Sequence, residues 1–252
     1  MQNINIGVIP VGGEGNRIKD LPFTKLLPKP MLPVLNRPIV EYAVENMKKI
    51  GIKDLYFILG HKGHSIRKYF QGGKEFGINI TYVEDYTLSG LANAIHLVEH
   101  LIHEPFCVIL GDDLTINNSW KGFVNEFFLN KCIVLEGVVK DDNKNSIMRA
   151  CEVQLDSKNK IIDIGEKPKV VRSKIRGCGV YIFSPEIFKL IKKTKINPIT
   201  GRKELTDTIK LVSKIGQAYA GLLDGININI NTLEDLIQAN RLILKSGFLK
   251  VR

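Results

Sequence analysis

Four charged side chains stand where phosphate chemistry could be done in the 252-residue chain. Arg17 closes the glycine-rich stretch VGGEGNR (residues 11–17), Lys29 lies in PKPMLPV (residues 28–34), and Asp112 with Asp113 follows the apolar run FCVILG. Glycines at the end of a strand let backbone N–H groups come close to an anion. A guanidinium can grip two phosphates, while an ammonium offers a compact charge where a phosphoryl group becomes more negative. Asp112 is a carboxylate at the mouth of a buried strand, which is costly unless it is paired or bound to a cation. Taken alone, Gly12, Gly13 and Gly15 are equally well explained by a plain turn. Ile18 denies the GxGxxG pattern its last glycine, and no GK[ST] follows. Surface charge is the bland reading of Arg17 and Lys29.

These groups can meet only if the intervening elements bring them together. The first 140 residues alternate short apolar runs with amphipathic stretches, as a βαβ series does, which predicts a largely parallel sheet covered on both faces. Strands are expected over 4–10, 55–59, 78–84 and 106–110, and helices over 38–50, 65–70 and 90–101. Residues 11–17 and Asp112 then fall at the carboxyl ends of strands, where open α/β sheets bind ligands. Beyond Val139 the pattern changes. A hairpin is expected over 150–155 and 160–166 around DSKNK, then a strand over 177–183, helices over 185–192 and 205–214, closing strands and a helix over 233–245. The stretch INININT (residues 226–232) alternates isoleucine and asparagine, the signature of a strand buried on one face. Three asparagines are a poor choice for simple solubility, so the row asks for a purpose.

Composition narrows the class. A hydrophobic content of 44% with 25% charged residues fits a globular α/β protein, and no apolar run is long enough to span a bilayer. With no basic leader at the start, a cytoplasmic protein is expected. The formal charge of +10 is scattered, without a basic arm, which suits a cleft that gathers small anions better than nucleic acid. Cys107, Cys132, Cys151 and Cys178 form no CxxC pair and are expected to be buried thiols.

The stretch GGEGNR…TKLLPKPMLPVLNRPIVEYAVENMKKIGI resembles the signature of the sugar-1-phosphate nucleotidylyltransferases, GGxGTR followed by PKxxxPV. The likeness continues through SGLANAI, ILGDDL, IGEKP, GCGVYIFSPEIF, ELTD and NTLEDLIQANRLIL, in the family's order and over nearly the whole chain. The resemblance implies an α/β fold: a three-layer α/β/α sandwich with a mixed, mainly parallel, Rossmann-like sheet. It implies one domain over 1–252, with a nucleotide-binding half (1–140) and a sugar-phosphate-binding half (141–252). The implied reaction joins an NTP to a sugar 1-phosphate and releases pyrophosphate, without nucleic acid or membrane as partner; a homo-oligomer is left open. Val11, Gly12, Gly13, Gly15, Asp85 and Gly90 would hold the nucleotide. Arg17 would grip the leaving pyrophosphate and Lys29 the charge at the α-phosphorus. Lys167 would bind the sugar's phosphate, Glu166 its hydroxyls, and the Gly179 backbone would approach the ring. For Glu166 and Lys167 the residues alone suggest only an exposed pair in a turn before Pro168. Asp112 matches the family's magnesium ligand, with Asp113 a less important neighbour. Counting back from NTLEDL puts the second Mg2+ ligand at Asn229, an amide that brings an oxygen without a charge.

The chain also departs from the pattern. Asn16 replaces a threonine, the interval from Gly15 to Lys29 is about two residues longer than usual, Arg202 stands for a glutamate, and Cys151 for a glycine. The last two fall in the sugar half and leave the sugar's identity open. Asp85 occupies a position where uridylyl- and thymidylyltransferases place glutamine; a carboxylate only accepts hydrogen bonds, which also suits guanine or cytosine. TKLLPKPMLPV nevertheless looks most like the UTP and dTTP branch, with glucose 1-phosphate or a related sugar as partner. A catalytically weak regulatory homologue is the alternative. The sequence contains no hexapeptide repeats of the kind that build an acyltransferase domain.

Overall fold

Every residue from Gly7 to Pro10 of the first strand, β1 (Ile6–Pro10), is buried, because both faces of the sheet are covered where it runs. The structure, a computed structural model, describes residues 2–12, 27–116 and 119–245. A two-residue pairing of β2 (Pro33–Val34) with β3 (Arg37–Pro38) leads into α1 (Ile39–Ile50). Then come β4 (Asp54–Leu59), the short α2 (His64–Phe70), β5 (Asn79–Glu84), α3 (Leu91–His96) and β6 (Phe106–Ile109). β1 pairs in parallel with β4 on one side and β6 on the other, and β4 pairs in parallel with β5.

After β6 the chain leaves the sheet as β7 (Asp113–Ile116), passes through α4 (Trp120–Asn130) and returns as β8 (Val134–Lys140). The second half begins with α5 (Lys144–Arg149) and the antiparallel hairpin of β9 (Cys151–Leu155) with β10 (Ile161–Glu166). The long β11 (Ile175–Phe183) follows, then α6 (Ile187–Lys193), α7 (Leu205–Lys214), β12 (Ala218–Leu222), β13 (Ile226–Asn229) and α8 (Leu233–Lys245). The main sheet runs β10-β9-β11-β6-β1-β4-β5, with β8 joining β11 and β12 joining β8, nine strands in all. β7 pairs antiparallel with β13 outside it.

Alternation along the strands splits the core. Ile9 and Phe57 pack with Met47 of α1, Phe70 of α2 and Phe127 of α4 on one face; Val8 and Phe106 pack with Ile95 of α3, Ile187 of α6 and Ile209 of α7 on the other. The result is the expected three-layer α/β/α sandwich with a mixed, mainly parallel, Rossmann-like sheet. A third cluster joins Leu114 of β7 and Ile228 of β13 to Tyr42 of α1 and Ile243 of α8. Asn46, buried within α1, donates to the Thr115 carbonyl, tying that satellite ribbon to the body of the domain. No described helix is long and apolar enough to cross a membrane. All four cysteines are buried thiols.

Two elements differ from expectation. The helix predicted over 90–101 stops at His96 and resumes only as a single tighter turn, Glu99–Leu101. In INININT only residues 226–229 are strand. Thr232 and Asp235 instead form a reciprocal cap on α8: the Asp235 carboxylate accepts from the Asn231 and Thr232 N–H groups, and the Thr232 hydroxyl accepts from the Asp235 N–H.

Candidate active site

The carboxyl end of β6 is pinned by two backbone bonds, Leu110 N–H to the Gly179 carbonyl at 2.9 Å and Gly111 N–H to the Pro10 carbonyl at 3.2 Å. The next residues, Asp112 and Asp113, therefore emerge beside the end of β1, at the mouth of the parallel sheet. Asp113 opens β7 and stands opposite Asn229 of β13. A short 3-10 turn, Lys29–Met31, delivers Lys29 to the same place. The Lys29 ammonium is 2.8 Å from Asp112 Oδ2 and 3.2 Å from Asn231 Oδ1, and its side chain is only 7% exposed. A buried ammonium is tolerable only with such partners.

Each asparagine of INININT now has a task. Asn227 accepts from Arg176 at 2.8 Å and donates to the Thr115 hydroxyl and the Cys178 carbonyl, so it braces β13 against β7 and β11. Asn231 carries Lys29 on its oxygen and donates through Nδ2 to Asn229 Oδ1. Asn229 faces the cavity across from Asp113.

Asp113, given little weight from sequence, is buried, and its Oδ1 has no hydrogen-bond partner among the described residues. Burial pushes its carboxyl up to about 8, the charge of Asp112 adds to the rise, and Lys29 and Arg176 pull the other way. Its other oxygen explains Gly179. There φ is +64°, and a Cβ would lie 2.5 Å from Asp113 Oδ2, so no side chain fits where β11 breaks its register with β8. Two carboxylates and an amide, one of them with an orphaned oxygen, form an all-oxygen donor set suited to a hard divalent cation. Among the described residues no three His, Cys, Asp or Glu side chains form a cage for a metal.

The cavity of about 480 Å3 beside these groups has two further ends. At one, Val11 and Gly12 follow β1, with Asp85 and Gly90 facing them. Asp85 Oδ1 accepts from Thr87 N–H, the Thr87 hydroxyl and Leu88 N–H, so this oxygen shapes its own loop. Gly90 has φ of +119° and backs directly onto the Lys203 backbone. Gly13, Gly15 and Arg17 lie outside the described residues. At the other end Glu166 and Lys167 pair at 3.1 Å after β10. Lys167 holds a φ of 44°, which is costly for a side-chain-bearing residue, and its N–H bonds the Ala150 carbonyl at 2.8 Å.

Behind that end sits Glu136 of β8, wholly buried, with Oε2 unpartnered among the described residues and Oε1 3.5 Å from the Cys151 thiol. Burial pushes its carboxyl up to about 8. Arg149 and Arg202 also line the cavity. From sequence, Asn227 and Asn231 are expected only to line the cleft or a turn; Asn231 does line it and also holds Lys29, while Arg149 and Glu136 escape sequence reasoning. Only the acid inside the apolar run IVLEGVV carried a signal, a charge where a buried strand should have none.

A family model described as nucleotidyl transferase matches residues 6–246. The chain is 30% identical over 249 residues to the low-salt glycan biosynthesis nucleotidyltransferase Agl11 of Haloferax volcanii, covering 98% of this chain and 68% of that protein. It is 29% identical over 253 residues to the UTP–glucose-1-phosphate uridylyltransferase of Staphylococcus epidermidis, covering 89% and 87%. A crystal structure of UDP-glucose pyrophosphorylase complexed with UDP-glucose superposes with a TM-score of 0.85 at 26% identity, over 96% of this chain and 99% of that one.

Proposed function

The chain belongs to the nucleotidyl transferase family, and on that premise we propose that it transfers a nucleotidyl group from an NTP to a sugar 1-phosphate, releasing pyrophosphate. The observation that carries this reading is the buried Lys29 ammonium beside Asp112, in the cavity that also holds Asn229 and the Glu166–Lys167 pair. UTP or dTTP is the nucleotide and glucose 1-phosphate or a related sugar the acceptor, as with the uridylyltransferase and pyrophosphorylase relatives. Asp85 does not argue against a uracil or thymine base, since one of its oxygens already serves its loop. With such substrates the enzyme works in the cytoplasm.

In this reading an oxygen of the sugar phosphate attacks the α-phosphorus in line; a P–O bond forms as the bond to the bridging oxygen breaks, and pyrophosphate leaves with the electron pair. The Val11–Gly12 backbone, continued by Gly13 and Gly15, holds the nucleotide against Asp85 and Gly90, and Arg17 neutralises the departing pyrophosphate. Lys29, fixed by Asp112 and Asn231, presents its charge where the α-phosphoryl oxygens become more negative. Lys167 holds the attacking phosphate, Glu166 accepts from sugar hydroxyls, and the Gly179 backbone lies close to the ring. A magnesium ion, held by Asp112 and Asn229 with Asp113 alongside, would supply further neutralisation of the triphosphate.

The test is pyrophosphate release from UTP, dTTP, CTP, GTP and ATP against glucose 1-phosphate, mannose 1-phosphate and a phosphorylated heptose, with Lys29→Ala as control. Turnover with one pair, lost in the control, is expected. Release with no pair, or release indifferent to Lys29, overturns the reading.

A further inference from the structure

Isoleucine and asparagine alternate three times over residues 226–231, so the apolar pattern does not choose which asparagine meets Asp113. A two-residue slip of β13 along β7 keeps every isoleucine on the apolar side and still sets an asparagine opposite that carboxyl. Two locks remove the degeneracy. A slip one way draws Ile230 and Asn231 into the strand and opens the cap of α8, where the Asn231 N–H is held by Asp235. The opposite slip brings Asn227 to Asp113 and Gly225 to Thr115, which strips Arg176 of its amide partner.

Arg176 is only 5% exposed, and its grip on Asn227 is forked. Nη1 donates to Asn227 Oδ1 at 2.8 Å and Nη2 to the Asn227 carbonyl at 3.4 Å, while Nε is held by Asp141 Oδ2 at 2.7 Å. Asn227 Nδ2 donates in turn to the Thr115 hydroxyl at 2.7 Å, and the Thr115 carbonyl accepts from Asn46 of α1. A polar chain thus crosses from β8 through the ribbon to α1. Two strands of four residues each are marginal without such ties. Asn227 stands opposite Thr115, and the next pair on the same face is Asn229 with Asp113. Arg176 itself lines a second cavity of about 230 Å3 and not the active one, although the two cavities share Arg149 and Ala150. It acts through its neighbours. We propose that Arg176 is a positioning residue for nucleotidyl transfer: by locking Asn227 against Thr115 it fixes the register that sets Asn229 opposite Asp113, and with them the place of the divalent cation. The consequence for catalysis rests on the function proposed above; the lock itself does not.

The experiment sets wild type against Arg176→Met, which removes the fork, and Arg176→Lys, which keeps a charge beside Asp141 but offers a single point donor. Thermal melts check folding, and Arg176→Lys carries the comparison should Arg176→Met not fold. Hydrogen exchange, read by mass spectrometry without metal or substrate, should run roughly tenfold faster at residues 113–116 and 226–229 in Arg176→Met, with β1 and β6 unmoved and Arg176→Lys in between. With the substrate pair that turns over best, the Mg2+ concentration for half-maximal pyrophosphate release should rise by roughly tenfold in Arg176→Met and less in Arg176→Lys, while KM for the sugar phosphate stays within about twofold. Ribbon exchange equal to wild type, or faster exchange spread evenly over the main sheet, overturns the lock. A looser ribbon with an unchanged magnesium requirement overturns the positioning role. If no substrate pair turns over, the proposed function fails and the positioning role falls with it, while the exchange rates still decide the lock.

Discussion

Replacing Glu136 with glutamine should reshape the pH dependence of stability. The side chain is wholly buried, one oxygen unpartnered among the described residues, and its carboxyl is displaced by burial from an ordinary 4.5 to about 8. The native state keeps this proton up to about pH 8, while the unfolded chain loses it near 4.5. Between those limits the native state binds one more proton, so stability is greatest below the lower value, falls as pH rises through the window, and is fully reduced above the upper one. At ~1.4 kcal/mol for each pH unit, the ionised carboxylate costs on the order of 4–5 kcal/mol. Asp113, also raised to about 8, titrates in the same window, so the substitution removes one of two contributions. Glutamine keeps the shape but adds an amide donor pair without acceptors, worth about 1–3 kcal/mol of loss. Urea unfolding at about pH 5.5 should therefore find Glu136→Gln no more stable than wild type, and at about pH 9 more stable by roughly 2–4 kcal/mol. A stability difference constant across that range would refute the assignment of Glu136 as a buried neutral acid.

Lys29→Met removes the cation and leaves Asp112 without its ammonium; kcat for pyrophosphate release should drop by about 10²–10³, and a loss of only a few-fold would detach Lys29 from the chemistry. Asn229→Asp adds a carboxylate opposite Asp113, and the magnesium concentration for half-maximal activity should fall by roughly tenfold, read from activity against metal concentration. Gly179→Ala forces a Cβ toward Asp113 Oδ2 at a φ of +64°, and should cost about 1–3 kcal/mol in urea unfolding.

The elements with clear periodicity were legible in advance. α7 spans Leu205–Lys214 as the spacing predicts, and β6 lies fully buried because its apolar run is unbroken. α4 is harder to read from sequence although Trp120, Phe123, Val124 and Phe127 follow the helical repeat. Phe128 and Leu129 beside them blur the apolar stripe. Glycine spacing and terminal charges pointed to phosphate chemistry, and the family likeness supplied Asp112, Asn229 and Lys167.

By itself, then, the sequence determined the alternation of strands and helices, because that follows from local period and residue type, and its likeness to a family gave the class of chemistry. The tertiary structure alone decided which of two adjacent aspartates is buried, that Asn231 meets Lys29, and that Arg149 and Ala150 border two cavities. The chain distances involved are long, 202 residues between Lys29 and Asn231, and each outcome depends on how β7 leaves the main sheet to pair with β13. No local pattern encodes that departure, since it is fixed by packing against α1 and α8.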